Sequence, residues 1–171
     1  MNTTESIHDG FQWASKLLEM IMADVTPEQA NWSPPGMANP LGATYAHAVC
    51  SADAIVQSMI KGEAPLFTTT WVGKTGVSQP QLGSTFEWAR QLKVDLPALR
   101  QYAQAVYRNA ENCLQSLPES ELDRELDLSG VGLGKRTLNW VIHALLIAHL
   151  NNMAGEISVL KGIQGGKGYP F

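Results

Sequence analysis

Apolar residues recur every three or four positions along four long segments of this 171-residue chain. These segments span residues 4–23, 40–61, 84–117 and 137–163. A spacing of three and four places the apolar residues on one face of an α-helix, and four such faces can bury one another in a bundle. We therefore predict an all-α fold, a four-helix bundle that forms a single domain over residues 1–171.

Two connections in the predicted bundle are unusual. Residues 63–83 form a long polar loop with Trp71 near its middle, and loops of this length tend to be functional or mobile. Residues 123–135 alternate apolar residues with glycines, which favours a short hairpin or irregular turn over a helix. Pro97 lies inside the third helical segment and predicts a kink or a break there.

Charge and composition exclude several classes of function. The formal net charge is −4 at pH 7, whereas binding to nucleic acid requires clustered Lys and Arg side chains. No segment reaches the ~18 apolar residues of a membrane span, and the start of the chain lacks the basic-then-apolar pattern of an export signal. We expect a soluble, cytoplasmic protein with no nucleic-acid or membrane partner. Cys50 and Cys113 are too few for a disulfide framework and are expected to be reduced.

Two of the four histidines lie at informative positions. His149 is predicted in the middle of the apolar face of the last helix, where an unsatisfied imidazole would cost about 1–3 kcal/mol. His47 lies beside the apolar face of the second helix, among small residues that leave room for a pocket. His143 precedes His149 by six positions and does not share its face. Taken alone, a histidine on an apolar helix face is more often a hydrogen-bonded core residue than a ligand.

Three more residues are candidates for the wall of a small-molecule pocket. Trp32 and Trp71 are predicted in loops, where an aromatic side chain can line the mouth of a pocket. Cys50 lies one turn after His47 and could present a soft sulfur ligand, although buried packing is the alternative role. A small organic molecule is therefore an expected ligand.

Short motifs along nearly the whole chain resemble those of the DinB-like (DinB/YfiT-like) family, which includes metalloproteins and thiol-dependent transferases. The motifs are Asn31-Trp32-Ser33-Pro34-Pro35, His47 in the second helix, Arg136-Thr137-Leu138, and the run His-Leu-Asn-Asn-Met-Ala-Gly-Glu-Ile that begins at His149. The resemblance implies a four-helix bundle with a divalent metal on three histidines. One ligand would come from the second helix and two, four residues apart, from the last.

The resemblance assigns only two of these three ligands to histidine. His47 matches the first ligand and His149 the second, but the third position is Met153. A thioether suits copper(I) and is a poor replacement for imidazole in binding zinc, nickel or manganese. Met153 also makes sense as a core residue. Asp53 and Glu156 could complete a metal shell, although neither stands at a ligand position of the family.

Two functions are open on this basis. The substitution at Met153 favours a bundle protein of undefined biochemical role, with a degenerate metal site and a small-ligand cavity. Zinc, nickel or manganese would then be weakly held or absent. The alternative is a metal-dependent hydrolase, or a thiol-dependent transferase or isomerase, that uses His47 and His149 to hold a divalent metal. The helix faces also permit a homodimer.

Overall fold

Helices dominate the structure, a computed structural model that describes residues 3–171. The α-helices are α1 (Thr3–Met22), α2 (Pro27–Asn31), α3 (Leu41–Ala54), α4 (Phe86–Gln91), α5 (Leu96–Ser116), α6 (Leu138–Val141) and α7 (Ala148–Ile163). Strands β1 (Glu125–Asp127) and β2 (Lys135–Thr137) pair antiparallel. Short 3-10 turns lie at Leu66–Thr68, Glu119–Asp123 and Ser129–Val131. Met1 and Asn2, which begin the segment considered for an export signal, lie outside the described residues.

The four long helical units form the predicted bundle. Helices α1 and α3 each pack against both α5 and α7, which closes a square of four helices around one core. The largest fully buried side chains in this core include Phe11, Leu18, Tyr45, Leu99, Tyr102, Leu114 and Leu138. Each large apolar side chain buried in this way contributes about 1.5–3 kcal/mol to folding. The all-α bundle prediction is confirmed.

Helix α3 is more deeply buried than its sequence pattern predicted. The expectation was one apolar face, yet every residue of α3 except His47 is buried. Small residues allow this close packing: a Cβ atom on Gly42 would lie 2.6 Å from the carbonyl oxygen of Ala30. His47 is therefore the one residue of α3 that reaches solvent.

The third predicted helix is two helices. The chain is extended after α4, where Val94 forms an isolated bridge with Val77. Asp95 then caps α5 by accepting a hydrogen bond from the amide of Ala98. Pro97 lies in the first turn of α5, where its missing N–H costs nothing. The prediction of a break near Pro97 is confirmed, but the proline starts the second helix and does not kink a continuous one.

The predicted hairpin and long loop are both present. In the hairpin, Leu126 is paired with Arg136. In the loop over residues 63–83, the amide of Phe67 donates to Asp53 of α3, and Gly76 has a φ of +73° close to α5. A side chain at Gly76 would collide with the backbone of α5, because its Cβ would lie 2.4 Å from the Asp95 oxygen. Across residues 3–171, none of the helices is long and apolar enough to cross a membrane.

Candidate functional site

The side chains of His47 and His149 meet at the contact between α3 and α7. Their Nε2 atoms are 3.1 Å apart, and the two rings are nearly perpendicular at 85°. Both imidazoles are half-buried. Two histidines separated by 102 residues along the chain therefore form one contact at the edge of the bundle.

A π-helical turn sets the position of His149. The segment Ile142–Ile147 joins α6 to α7 as a π-helix, which has a wider turn than an α-helix and is frequent at functional sites. The buried residues around it, Ile142, Leu146 and Leu150, recur every four positions. Leu150 thus occupies the centre of the buried face, and His149 lies at its edge. The prediction of His149 in the middle of that face is wrong because ordinary helical periodicity does not include the π turn.

The hydrogen bonds on the Nδ1 side of His47 favour one tautomer of its ring. The hydroxyl of Ser51 donates to the carbonyl oxygen of Leu82 at 3.1 Å, and its Oγ is 3.2 Å from His47 Nδ1. A hydroxyl has one proton to donate, so with that proton on Leu82 the Ser51 Oγ is an acceptor for an Nδ1–H of His47. In this assignment neutral His47 carries no proton on Nε2, and this nitrogen is the acceptor for the Nε2–H of His149. Such support behind one ring nitrogen is how proteins orient an imidazole for a ligand on the other.

Both imidazoles are neutral at neutral pH. Burial is the main cause that lowers the pKa of His47 to about 4, the nearby His149 lowers it further, and the hydrogen bond to Leu82 opposes the shift. Burial also lowers the pKa of His149. An imidazole whose pKa lies well below 7 is a weak general base at neutral pH.

A small cleft of about 110 Å³ opens beside His47. Its walls are formed by Asn39, Ala43, Thr44, His47, Ser84, Met153 and Glu156. Met153 and Glu156 lie four and seven residues after His149 in α7, so all three share one face of the helix. The cleft is therefore polar, with one thioether and one carboxyl group in its wall.

The other residues predicted at a pocket do not line this cleft. Cys50 is fully buried, and burial raises the pKa of its thiol to about 12, which suits packing and not ligation. The ring of Trp71 packs against Tyr102, with 5.5 Å between ring centroids. Trp32 is half-buried at the end of α2.

Of four further polar residues at the site, the sequence indicates two. Thr44 and Ser51 are among the small residues near His47 that predict room for a pocket, and Thr44 does line the cleft. The hydrogen-bonding role of Ser51 was not predicted, although its position one turn after His47 brings the two side chains together. Asn39 and Ser84 enter the cleft from loops, and no periodic pattern in the sequence indicates their position.

The donor set fits two metal ligands and not three. Two imidazole nitrogens bound to one ion at 2.0–2.1 Å lie about 2.9–3.4 Å apart, a range that includes the observed 3.1 Å. Among residues 3–171, however, no group of three His, Cys, Asp or Glu side chains could hold an ion. Asp53 is engaged elsewhere, since it accepts hydrogen bonds from Tyr102 and Phe67. The residues present do not reproduce a three-histidine centre.

Comparison with known proteins agrees with this architecture. A crystal structure of a conserved protein from Enterococcus faecalis superposes with a TM-score of 0.80 and 19% sequence identity, over 96% of this chain and 99% of that one. At this identity the likeness shows the fold alone. Curated protein sequences give no match. The profile of the DinB superfamily matches residues 11–157, a span that includes both histidines and Met153. By that match over most of its length, the chain belongs to the DinB superfamily.

Proposed function

We propose that this protein is a binding module in which the three-histidine metal centre implied by the family resemblance is reduced to a hydrogen-bonded pair of imidazoles. The 3.1 Å contact between the Nε2 atoms of His47 and His149 carries the proposal. In that contact each nitrogen satisfies the other, so the pair is complete without an ion. The module takes a small molecule in the adjoining cleft and holds zinc, nickel or manganese weakly or not at all.

The chemistry of the pair supports binding over catalysis. A neutral imidazole with a pKa of about 4 takes up a proton poorly at neutral pH, and a useful general base has a pKa near the working pH. Cys50 offers no alternative nucleophile, because its thiol is buried and its pKa is raised. The cleft does supply hydrogen-bonding groups from Asn39, Thr44 and Ser84, which suits recognition of a polar group.

A metal-dependent hydrolase, or a thiol-dependent transferase or isomerase, is the second candidate. The spacing of the two imidazoles favours it, since that spacing also fits two ligands on one divalent ion. Met153 weighs against it, because a thioether binds zinc, nickel and manganese poorly.

Elemental analysis of untagged protein separates the two candidates. We expect less than about one-tenth of an equivalent of any transition metal in the purified protein. We also expect calorimetry to give dissociation constants for zinc, nickel and manganese that are in the high micromolar range or weaker. A near-stoichiometric metal that disappears in His149→Ala would overturn the proposal in favour of the metal-dependent enzyme.

A further inference from the structure

An apolar groove continues outward from the cleft along α7. Its volume is about 470 Å³, and its walls include Met37 and Ala38 from the loop before α3 and Val159, Leu160 and Ile163 from α7. Asn39 and Glu156 line both the groove and the cleft. The two spaces therefore adjoin at these two side chains.

The groove exposes large apolar side chains. Met37 is 76% exposed, Val159 63% and Ile163 60%. Val159 and Ile163 are four residues apart on α7 and so lie side by side. Each carries an apolar area whose removal from water is favourable by about 25 cal/mol per Å². A concentration of such side chains around one concave surface is typical of a binding groove.

Glu156 lines both the cleft and the groove, and its carboxyl group determines which head group an amphipathic ligand can carry. Glu156 is the one acidic or basic side chain lining either space apart from the neutral His47. Burial raises the pKa of this partly exposed carboxyl group, and no neighbouring cation opposes that shift. The ionised carboxylate repels a carboxylate or phosphate head and attracts an ammonium group, and a bound ammonium in turn favours the ionised form. Oxygen atoms of Asn39, Thr44 and Ser84 are acceptors for the remaining ammonium protons.

We propose that the cleft and groove together bind an amphipathic amine. Its ammonium group lies against Glu156 in the cleft that His47 lines, and its hydrocarbon chain occupies the groove between Met37 and Ile163. This inference rests on the proposed function, because it takes His47, free of metal, as part of the wall of the ligand site.

Calorimetry with four simple probes tests the head group and the chain separately. We expect n-hexylamine to bind at least tenfold more tightly than n-propylamine, n-hexanol or hexanoate at the same pH and ionic strength. Glu156→Gln should weaken hexylamine binding at least tenfold, and Ile163→Ser should weaken it several-fold. Val131→Ser is the matched control, because Val131 is 69% exposed on the hairpin, far from the groove in sequence, and should change nothing.

The contrary outcomes are distinct. Equal binding of hexanol and hexylamine, or no effect of Glu156→Gln, overturns the assignment of an amine. A light-scattering mass near twice 18.6 kDa that returns to the monomer value in Ile163→Ser shows that a second copy covers the groove, and this also overturns the inference. Failure of the proposed function has a different signature, a stoichiometric metal in the purified protein.

Discussion

His47 and Asp53 are two polar side chains of helix α3 that lie six residues apart and have opposite environments. Asp53 is buried, with 1% of its surface exposed, and its hydrogen bonds go to other parts of the chain. His47 is half-buried at the edge of the bundle, and its Nε2 lies 3.1 Å from that of His149. Both residues are polar, so polarity alone does not show which of them has a structural role and which belongs to a site. The partners of their hydrogen bonds make that distinction.

Asp53 ties three parts of the fold together. Its Oδ2 accepts from the hydroxyl of Tyr102 in α5 at 2.6 Å and from the amide of Phe67 in the long loop at 3.0 Å. Burial raises the pKa of the carboxyl group, and the hydrogen bond from Tyr102 opposes that shift. Trp71 covers Tyr102 from the same loop. These contacts anchor the loop to α3 and α5.

The ring of His47 is held by hydrogen bonds and borders the cleft. Ser51 and Leu82 fix its Nδ1 side, while its Nε2 side faces His149 and its ring lines the cleft. An imidazole that is oriented by hydrogen bonds and borders a cleft is the arrangement expected at a binding site. The comparison therefore predicts that changes at Asp53 alter stability and that changes around His47 alter binding.

The largest effect is expected from Asp53→Ala. The substitution leaves the hydroxyl of Tyr102 and the amide of Phe67 buried without an acceptor, and we expect the free energy of unfolding to fall by about 2–4 kcal/mol. Urea denaturation measures the change. Asp53→Asn is the control, since its amide oxygen can still accept, and it should cost less than half as much. If His47→Gln destabilises the protein more than Asp53→Ala, the assignment of a structural role to Asp53 and a binding role to His47 is wrong.

Met153→His should restore metal binding. The imidazole would lie one turn after His149 on the face that lines the cleft, and a third nitrogen ligand should tighten zinc or nickel binding at least 100-fold, about 2.7 kcal/mol. Competition against a coloured chelator gives the affinity. Met153→Leu keeps the shape without a donor and should bind zinc as weakly as the native chain. If the histidine variant gains nothing, Met153 does not stand at a ligand position.

Lowering the pH should destabilise the native fold through the imidazole pair. The unfolded chain takes up protons near pH 6.5, whereas folded His47 does so only near pH 4. Stability present above pH 6.5 is therefore lost as the pH falls towards 4, by roughly 1–2 kcal/mol after allowing for partial exposure. Unfolding curves at several pH values should show a shallower slope in the double variant His47→Gln, His149→Gln. An identical slope would mean that burial does not depress these pKa values.

Ser51→Ala should have the smallest effect. It removes the acceptor for Nδ1 of His47, but the carbonyl oxygen of Leu82 remains as a partner, so we expect a loss of only about 0.5–1 kcal/mol. Thermal unfolding measures this cost. A second, more informative readout is the NMR signal of the His47 ring, which should show faster exchange between tautomers. Unchanged ring signals would contradict the role given to Ser51.

The sequence predicted the bundle well because apolar periodicity is a direct record of which helix faces are buried. It also assigned His47 and His149 to one site, through the resemblance and not through periodicity. It did not predict the burial of α3 on every side, since Gly42 and the alanines around it signal close packing only once a neighbour such as Ala30 is known. The π turn before α7 leaves no recognisable pattern in the sequence, which is why His149 was predicted in the middle of the buried face and lies instead at its edge.

The residues that line the cleft were harder to predict than the helices, because tertiary contacts determine their positions. Trp71 and Cys50 carry side chains typical of pockets, yet both pack inside the protein. Asn39 and Ser84 lie in loops whose paths depend on tertiary contacts, such as the hydrogen bond between Ser51 and Leu82. Local sequence does not encode such contacts, so a loop residue becomes part of a site only when the fold brings it there.

The nitrogen spectrum of the two imidazoles tests the central claim most directly. Long-range ¹H–¹⁵N correlation of untagged, ¹⁵N-labelled protein at pH 7 distinguishes protonated, bare and metal-bound ring nitrogens. We expect His47 to carry its proton on Nδ1 and His149 on Nε2, with no change on addition of one equivalent of zinc. Metal-bound shifts at both Nε2 atoms, in the purified protein or after one equivalent of zinc, would contradict a metal-free hydrogen-bonded pair.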